Sequence, residues 1–200
     1  MTEKSSACLI ACGIFKDELE KLVDEGPLDA EMHFLDPGLH NNPKHLEIEL
    51  SKSIERHLEH NPNGIILVYG DVCLGFSGEI RQLVEKYSVV KIDALNCIDC
   101  LLGGKGKLLG IDPNHEYFFL NPAWIKLEFG NRDLTRKTQE ARKEFSVLKG
   151  LFLLDTLGNL NDFEKEIEDI RKYTDLPVVE RRNIGIRGIQ SVITEAIHQL

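Results

Sequence analysis

Residues 65–69 (IILVY) form an unbroken apolar run, with no polar residue alternating through them. A strand of that composition has no face to give to water. It belongs inside a sheet covered on both sides, the setting of parallel strands joined by helices. Strand-sized segments recur around it at 8–12 (CLIAC), 31–35 (EMHFL), 89–92 (VVKI), 116–120 (EYFFL) and 151–155 (LFLLD), with an edge strand at 177–180 (PVVE). Between them lie segments of helical period: Phe15, Leu19, Leu22 and Val23; Leu46, Leu50, Ile54 and Leu58; Ile80, Leu83, Val84 and Tyr87; Phe163, Ile167, Ile170 and Tyr173; and Ile186, Ile189, Ile193 and Ile197. Pro43, and Pro122 behind Asn121, suit first-turn positions of helices.

This alternation predicts an α/β fold: a mainly parallel open sheet with helices on both faces, Rossmann-like and three-layered, in a single domain over 1–200. The charged segment near 131–149, with a helix expected over about 134–149, is the one candidate internal boundary, and it is not taken as one.

Composition narrows the function classes. A net charge of -9, spread over helix faces, opposes nucleic-acid and anionic-membrane binding, so no nucleic-acid and no membrane partner is expected. The apolar runs are far shorter than the roughly 20 residues of a spanning helix. The polar start, residues 1–6, lacks the pattern of an export signal. Five cysteines, an odd number, then suggest reduced thiols and a cytoplasmic location.

In an open α/β sheet, ligands bind beyond the carboxyl ends of the strands. Cys12, His40, Cys73 and the pair Cys97 and Cys100 each follow one of the first four strand segments. Three thiolates and an imidazole make a tetrahedral zinc set; three thiolates with an open position suit an iron–sulfur cluster. Unconnected thiols and a redox pair at Cys97-x-x-Cys100 remain as alternatives. Cys8, inside a strand, reads as core, and Cys100 beside Leu101 and Leu102 reads as either core or ligand. His40 has a plain alternative too, as a loop or capping hydrogen-bonder.

Other motifs carry less. The run 103–107 (GGKGK) lacks the spacing of a P-loop and reads as a turn. The run 75–78 (GFSG) lacks the frame of a nucleophile elbow. Trp124 and Phe129 read as packing, and the Glu/Lys-rich run 161–172 as a solvated helix face.

At the same segments the chain resembles an uncharacterised prokaryotic family, domain of unknown function 1638. The matching pieces are Cys12-Gly13 with Glu18-Leu19, Leu39-His40 with Pro43 and Leu46, Tyr69-Gly70 with Cys73, and Cys97-Ile98 with Leu101-Leu102-Gly103. Trp124-Ile125 and Leu176-Pro177 with Glu180-Arg181 extend it over most of the chain. Two departures stand out: Asp71 and Val72 make a spacing of two before Cys73, and Leu95-Asn96 replace His-Asp before Cys97.

The resemblance implies that Cys12, His40, Cys73 and Cys97 form a common site. It implies no reaction. The expected function is therefore metal binding, with zinc or an iron–sulfur cluster as cofactor and a small molecule or metallocofactor as ligand. Thiolate- or cluster-dependent group transfer, such as methyl transfer, is the enzymatic form, with Asp71 or Asp99 as nearby acid or base. A metal carrier or sensor is the alternative.

Overall fold

A computed structural model describes residues 7–61, 64–134 and 143–200. The polar start, part of the break at 61–64 and half of the charged helix expected over 134–149 lie outside the described residues.

Two compact units emerge, one of residues up to Gly106 together with Arg187–Leu200, the other Lys107–Ile186. In the first, strands β1 (Ala7–Cys12), β2 (Ala30–Leu35), β3 (Ile65–Val68) and β4 (Val90–Lys91) pair in the order β2-β1-β3-β4, every pair parallel. The run 65–69 is thus internal, as its composition demands, and Ile65 to Val68 are all fully buried.

Each crossover is helical: α1 (Lys16–Asp24), α2 (Pro43–Leu58) and α3 (Glu79–Tyr87). Short helices α4 (Cys97–Leu101) and α5 (Lys107–Ile111) follow β4. Pro43 opens α2, and the Asn42 side chain caps it by accepting from the His45 N–H at 3.2 Å. One sheet face carries Cys8, Ile10, Ile65 and Leu67, packed with Leu46, Leu50 and Ile54 of α2 and Ile80 and Leu83 of α3. Each such side chain, when fully buried, contributes roughly 1.5–3 kcal/mol.

The second unit holds β5 (Tyr117–Leu120), β6 (Gly150–Asp155) and β7 (Val178–Asn183) in the order β5-β6-β7, again parallel, with β7 at an edge. Helix α6 (Pro122–Phe129) is capped by Asn121, whose side chain accepts from the Trp124 N–H at 3.0 Å. Helix α7 (Glu164–Thr174) exposes the charged face expected of 161–172, pairing Glu168 with Arg171 and Lys172. Phe129 and Trp124 pack into this unit's core.

The chain then returns to the first unit as α8 (Arg187–Ile197), which packs on α4 and β3. Gly188 makes that approach: a Cβ there would fall 2.1 Å from the Leu101 carbonyl oxygen.

The α/β class and parallel pairing hold, but the strands divide into two sheets where one was expected. β4 explains the break: it is two residues long and carries Lys91, which leaves little edge for another strand to join.

Candidate functional site

The order β2-β1-β3-β4 reverses direction between β1 and β3, so the crevice beyond their carboxyl ends is the topological switch point of this sheet. Register fixes what meets there. Ala11 lies beside Val68, and Cys8 and Ile10 beside Ile65 and Leu67. One residue further on, Cys12 comes level with Tyr69. Residues two apart share a face, so Cys12 and Tyr69 stand on the face of Cys8, Ile10, Ile65 and Leu67, and all pack into one cluster. Cys73 joins that cluster from the turn after β3.

The Cys73 turn is bound to the loop after β4 by the N–H of Asp71 donating to Ala94 O at 2.9 Å and that of Val72 to Leu95 O at 3.1 Å. Gly70 permits this contact. A Cβ there would lie 2.5 Å from Leu95 O and 2.6 Å from the Asn96 Cα, so only glycine lets the two backbones come together. Asn96 then caps α4, accepting from the Asp99 N–H at 2.9 Å, and Cys97 is the first residue of that helix. The loop after β4 is thereby tied to the turn carrying Cys73.

On the other side, Gly13 packs on the end of β2, with a hypothetical Cβ 2.9 Å from Leu35 O. His40 lies in the 3-10 turn Pro37–Asn41, whose Leu39 packs on the same cluster as Cys12 and Cys73. The His40 Nδ1 stands 2.7 Å from Pro37 O. A carbonyl can only accept, so Nδ1 carries the proton and Nε2 is the basic nitrogen, the tautomer of a proton-accepting or metal-ligating histidine.

The thiols feel burial first and one another second. Burial pushes the Cys12 thiol up to about 11; a backbone hydrogen bond from Ile14 opposes this, and the nearby Cys73 adds to it. Burial likewise raises Cys73, against a backbone hydrogen bond from Gly70 and the charge of Lys91. Cys100 is raised well above its ordinary value, by burial and then by Cys97, Cys73, Asp99 and Glu18. Cys12 thus lies within electrostatic reach of Cys73, and Cys100 within reach of Cys73 and Cys97. Cys12, Cys73 and Cys97 keep partial access to solvent, whereas Cys8 and Cys100 are wholly buried. None of the five forms a disulfide.

From the sequence, Tyr69 is part of a family-matching piece and not a site candidate. It is 2 % exposed, and its hydroxyl has no hydrogen-bond partner among the described residues. Burial, then Cys12 and Cys73, hold its phenol far above the ordinary range. An unsatisfied buried hydroxyl costs about 1–3 kcal/mol, so its placement among thiols asks for a functional account. Glu18, 2 % exposed on α1, is a second buried polar residue that was not read as part of the site. Its signal was in the sequence: it falls within the stripe of Phe15, Leu19 and Leu22, where a core helix would carry an apolar residue.

Asp71 and Asp99, the acid or base candidates, have structural work. Asp71 bridges Lys91 at 2.7 Å and Lys105 at 2.8 Å. Asp99, fully buried, accepts from the N–H groups of Leu95 at 3.0 Å and Gly106 at 3.1 Å. The 103–107 run is a turn, with positive φ at Gly103, Gly104 and Gly106.

The donor set is chemically suited to a thiophilic metal: soft sulfurs, an imidazole in the right tautomer and an unsatisfied hydroxyl. Its geometry is looser. Among the described residues, no three His, Cys, Asp or Glu side chains stand as a ready cage for a metal ion.

A family profile described as protein of unknown function (DUF1638) matches residues 34–193. The chain belongs to this family. His40, Cys73, Cys97 and Cys100 lie inside the matched span of the DUF1638 profile and Cys12 outside it. No curated protein and no solved structure gives a significant match. Among the described residues, no helix is long and apolar enough to cross a membrane.

Proposed function

We propose that this DUF1638 protein binds a thiophilic metal, zinc or an iron–sulfur cluster, through Cys12, Cys73 and Cys97 at the switch point of its first sheet. The observation that carries this reading is the grouping of Cys12 and Cys73 around the unsatisfied Tyr69 hydroxyl, with the Cys97 loop tied to the Cys73 turn. Zinc would require the sulfurs to close to roughly 3.5–4 Å from one another, by movement of the turns after β3 and β4. A metal bound there would act as a Lewis acid or hold a thiolate for group transfer. The protein's own residues would orient the ligand: Tyr69 by donating its hydroxyl, His40 by accepting at Nε2. A metal carrier is the second reading, favoured by the partial exposure of all three thiols, which suits exchange of the ion with a partner.

The test is elemental analysis and absorption of protein purified without oxygen, with zinc titration of the metal-free form. Cys12→Ser, Cys73→Ser and Cys97→Ser are expected to lose metal, and Cys8→Ala to keep it. His40→Ala separates the roles: metal loss equal to that of Cys73→Ser makes His40 a ligand, whereas retained metal leaves it a contact for the bound molecule. Absence of both zinc binding and cluster absorbance in the wild-type protein would overturn the reading.

A further inference from the structure

Directly after the Cys73 turn, Gly75-Phe76-Ser77-Gly78 leads into α3. Phe76 is 92 % exposed. Neighbouring glycines hold it out: Gly75 has φ +135° and Gly78 φ +88°, conformations that residues with a side chain rarely adopt. The loop is shaped, since the Ser77 N–H donates to the Glu79 carboxylate at 2.9 Å. A phenyl ring left in water by a built loop forgoes the apolar burial that most aromatic side chains obtain.

Behind this ring lies a cavity of about 370 Å³, lined by Phe76, Ser77, Ile80, Arg81, Asp71 and Leu95 among others. That volume lies in the range of small-molecule sites. Arg81 makes no ion pair or hydrogen bond among the described residues. Asp71, the carboxylate in the cavity lining, is already held by Lys91 and Lys105. The cavity therefore offers an exposed guanidinium without a protein partner among the described residues, an aromatic ring in the same lining, and apolar walls from Ile80 and Leu95. A guanidinium pairs best with a planar carboxylate or a phosphate, and a phenyl face with a flat ring.

We propose that this cavity binds a planar aromatic anion, stacked on Phe76 and paired through its anionic group with Arg81. It lies beside the turn that carries Cys73, with Asp71, Val72 and Gly75 in its lining. Binding there needs no metal.

The test uses metal-free protein in the presence of chelator, so its outcome is separate from that of the metal reading. The probe is naphthalene-2-carboxylate, followed by amide chemical shifts, with naphthalene-2-carboxamide as its uncharged counterpart. The carboxylate should move the amides of Gly75, Ser77 and Gly78. Arg81→Gln should weaken it roughly tenfold, and the carboxamide should bind the wild-type protein about that much more weakly. Phe76→Ala, at a position exposed enough to leave folding unchanged, should weaken the carboxylate roughly fivefold. Equal binding of carboxylate and carboxamide, shifts confined to other amides, no binding at millimolar probe, or full affinity in both variants would each overturn the proposal.

Discussion

Gly70→Ala is expected to damage both the stability of the first unit and the alignment of its thiols. The wild-type backbone at Gly70 does not have a positive φ, so a side chain meets no intrinsic conformational penalty there. The penalty is spatial. The new methyl would stand 2.5 Å from Leu95 O and 2.6 Å from both Leu95 C and the Asn96 Cα. Ordinary contact needs about 3.5–4.0 Å, so the two loops must part by roughly 1 Å. All three obstructing atoms are backbone, which cannot rotate aside as a side-chain end would. Overpacking of this kind costs about 1–3 kcal/mol. The adjacent bonds from Asp71 N–H to Ala94 O and from Val72 N–H to Leu95 O would stretch or break, each with a net loss of about 1 kcal/mol. A destabilisation of roughly 3 kcal/mol follows. It should be read by urea unfolding followed by tryptophan-independent far-ultraviolet dichroism, together with the rate of thiol labelling at Cys73 and Cys97, which should rise. Gly78→Ala is the comparison: it carries φ +88° but nothing within 4 Å of its Cβ, so it should cost only about 1 kcal/mol. A Gly70→Ala loss under about 0.5 kcal/mol with unchanged labelling would refute the claim that this contact aligns the site.

Two further outcomes follow from the same neighbourhood. Tyr69→Phe removes a buried hydroxyl without a partner, so in metal-free protein it should be neutral or stabilising by up to about 1 kcal/mol in urea unfolding, and a clear loss would mean that the hydroxyl is satisfied in solution. Burial raises the Asp71 carboxyl, but hydrogen bonds from Lys105 and Lys91 outweigh it and leave the group below its ordinary value. The stabilisation that Asp71 provides is therefore complete above about pH 4, its unfolded range, and is lost as pH falls through the lowered folded value. Asp71→Asn should accordingly flatten the dependence of stability on pH at the acid end, and identical acid profiles for the two proteins would contradict the pairing.

What the sequence determined about this protein is the part governed by local pattern. The unbroken apolarity of 65–69 required an internal parallel strand, and the helical stripes between strand segments required helices on the sheet faces. Asn42-Pro43 and Asn121-Pro122 marked helix starts, and Cys8, within its strand, was core. The position of Cys12, Cys73 and Cys97 at the carboxyl ends of strands was legible as well, because chain direction in a parallel sheet puts every such end on one edge.

Tertiary structure alone decided the rest. That the strands form two sheets depended on where β4 stops pairing, and a two-residue strand leaves almost no pattern to read. That Cys12 is level with Tyr69 depended on the register of β1 against β3, since no local signal says which residues of non-adjacent strands stand side by side. The commitment of Asp71 and Asp99 to structural bonds, and the Gly70 contact that joins the turns after β3 and β4, arise between segments distant in sequence. Side-chain chemistry could be read from the residues themselves, but which groups share a crevice is set by backbone packing that only the folded chain defines.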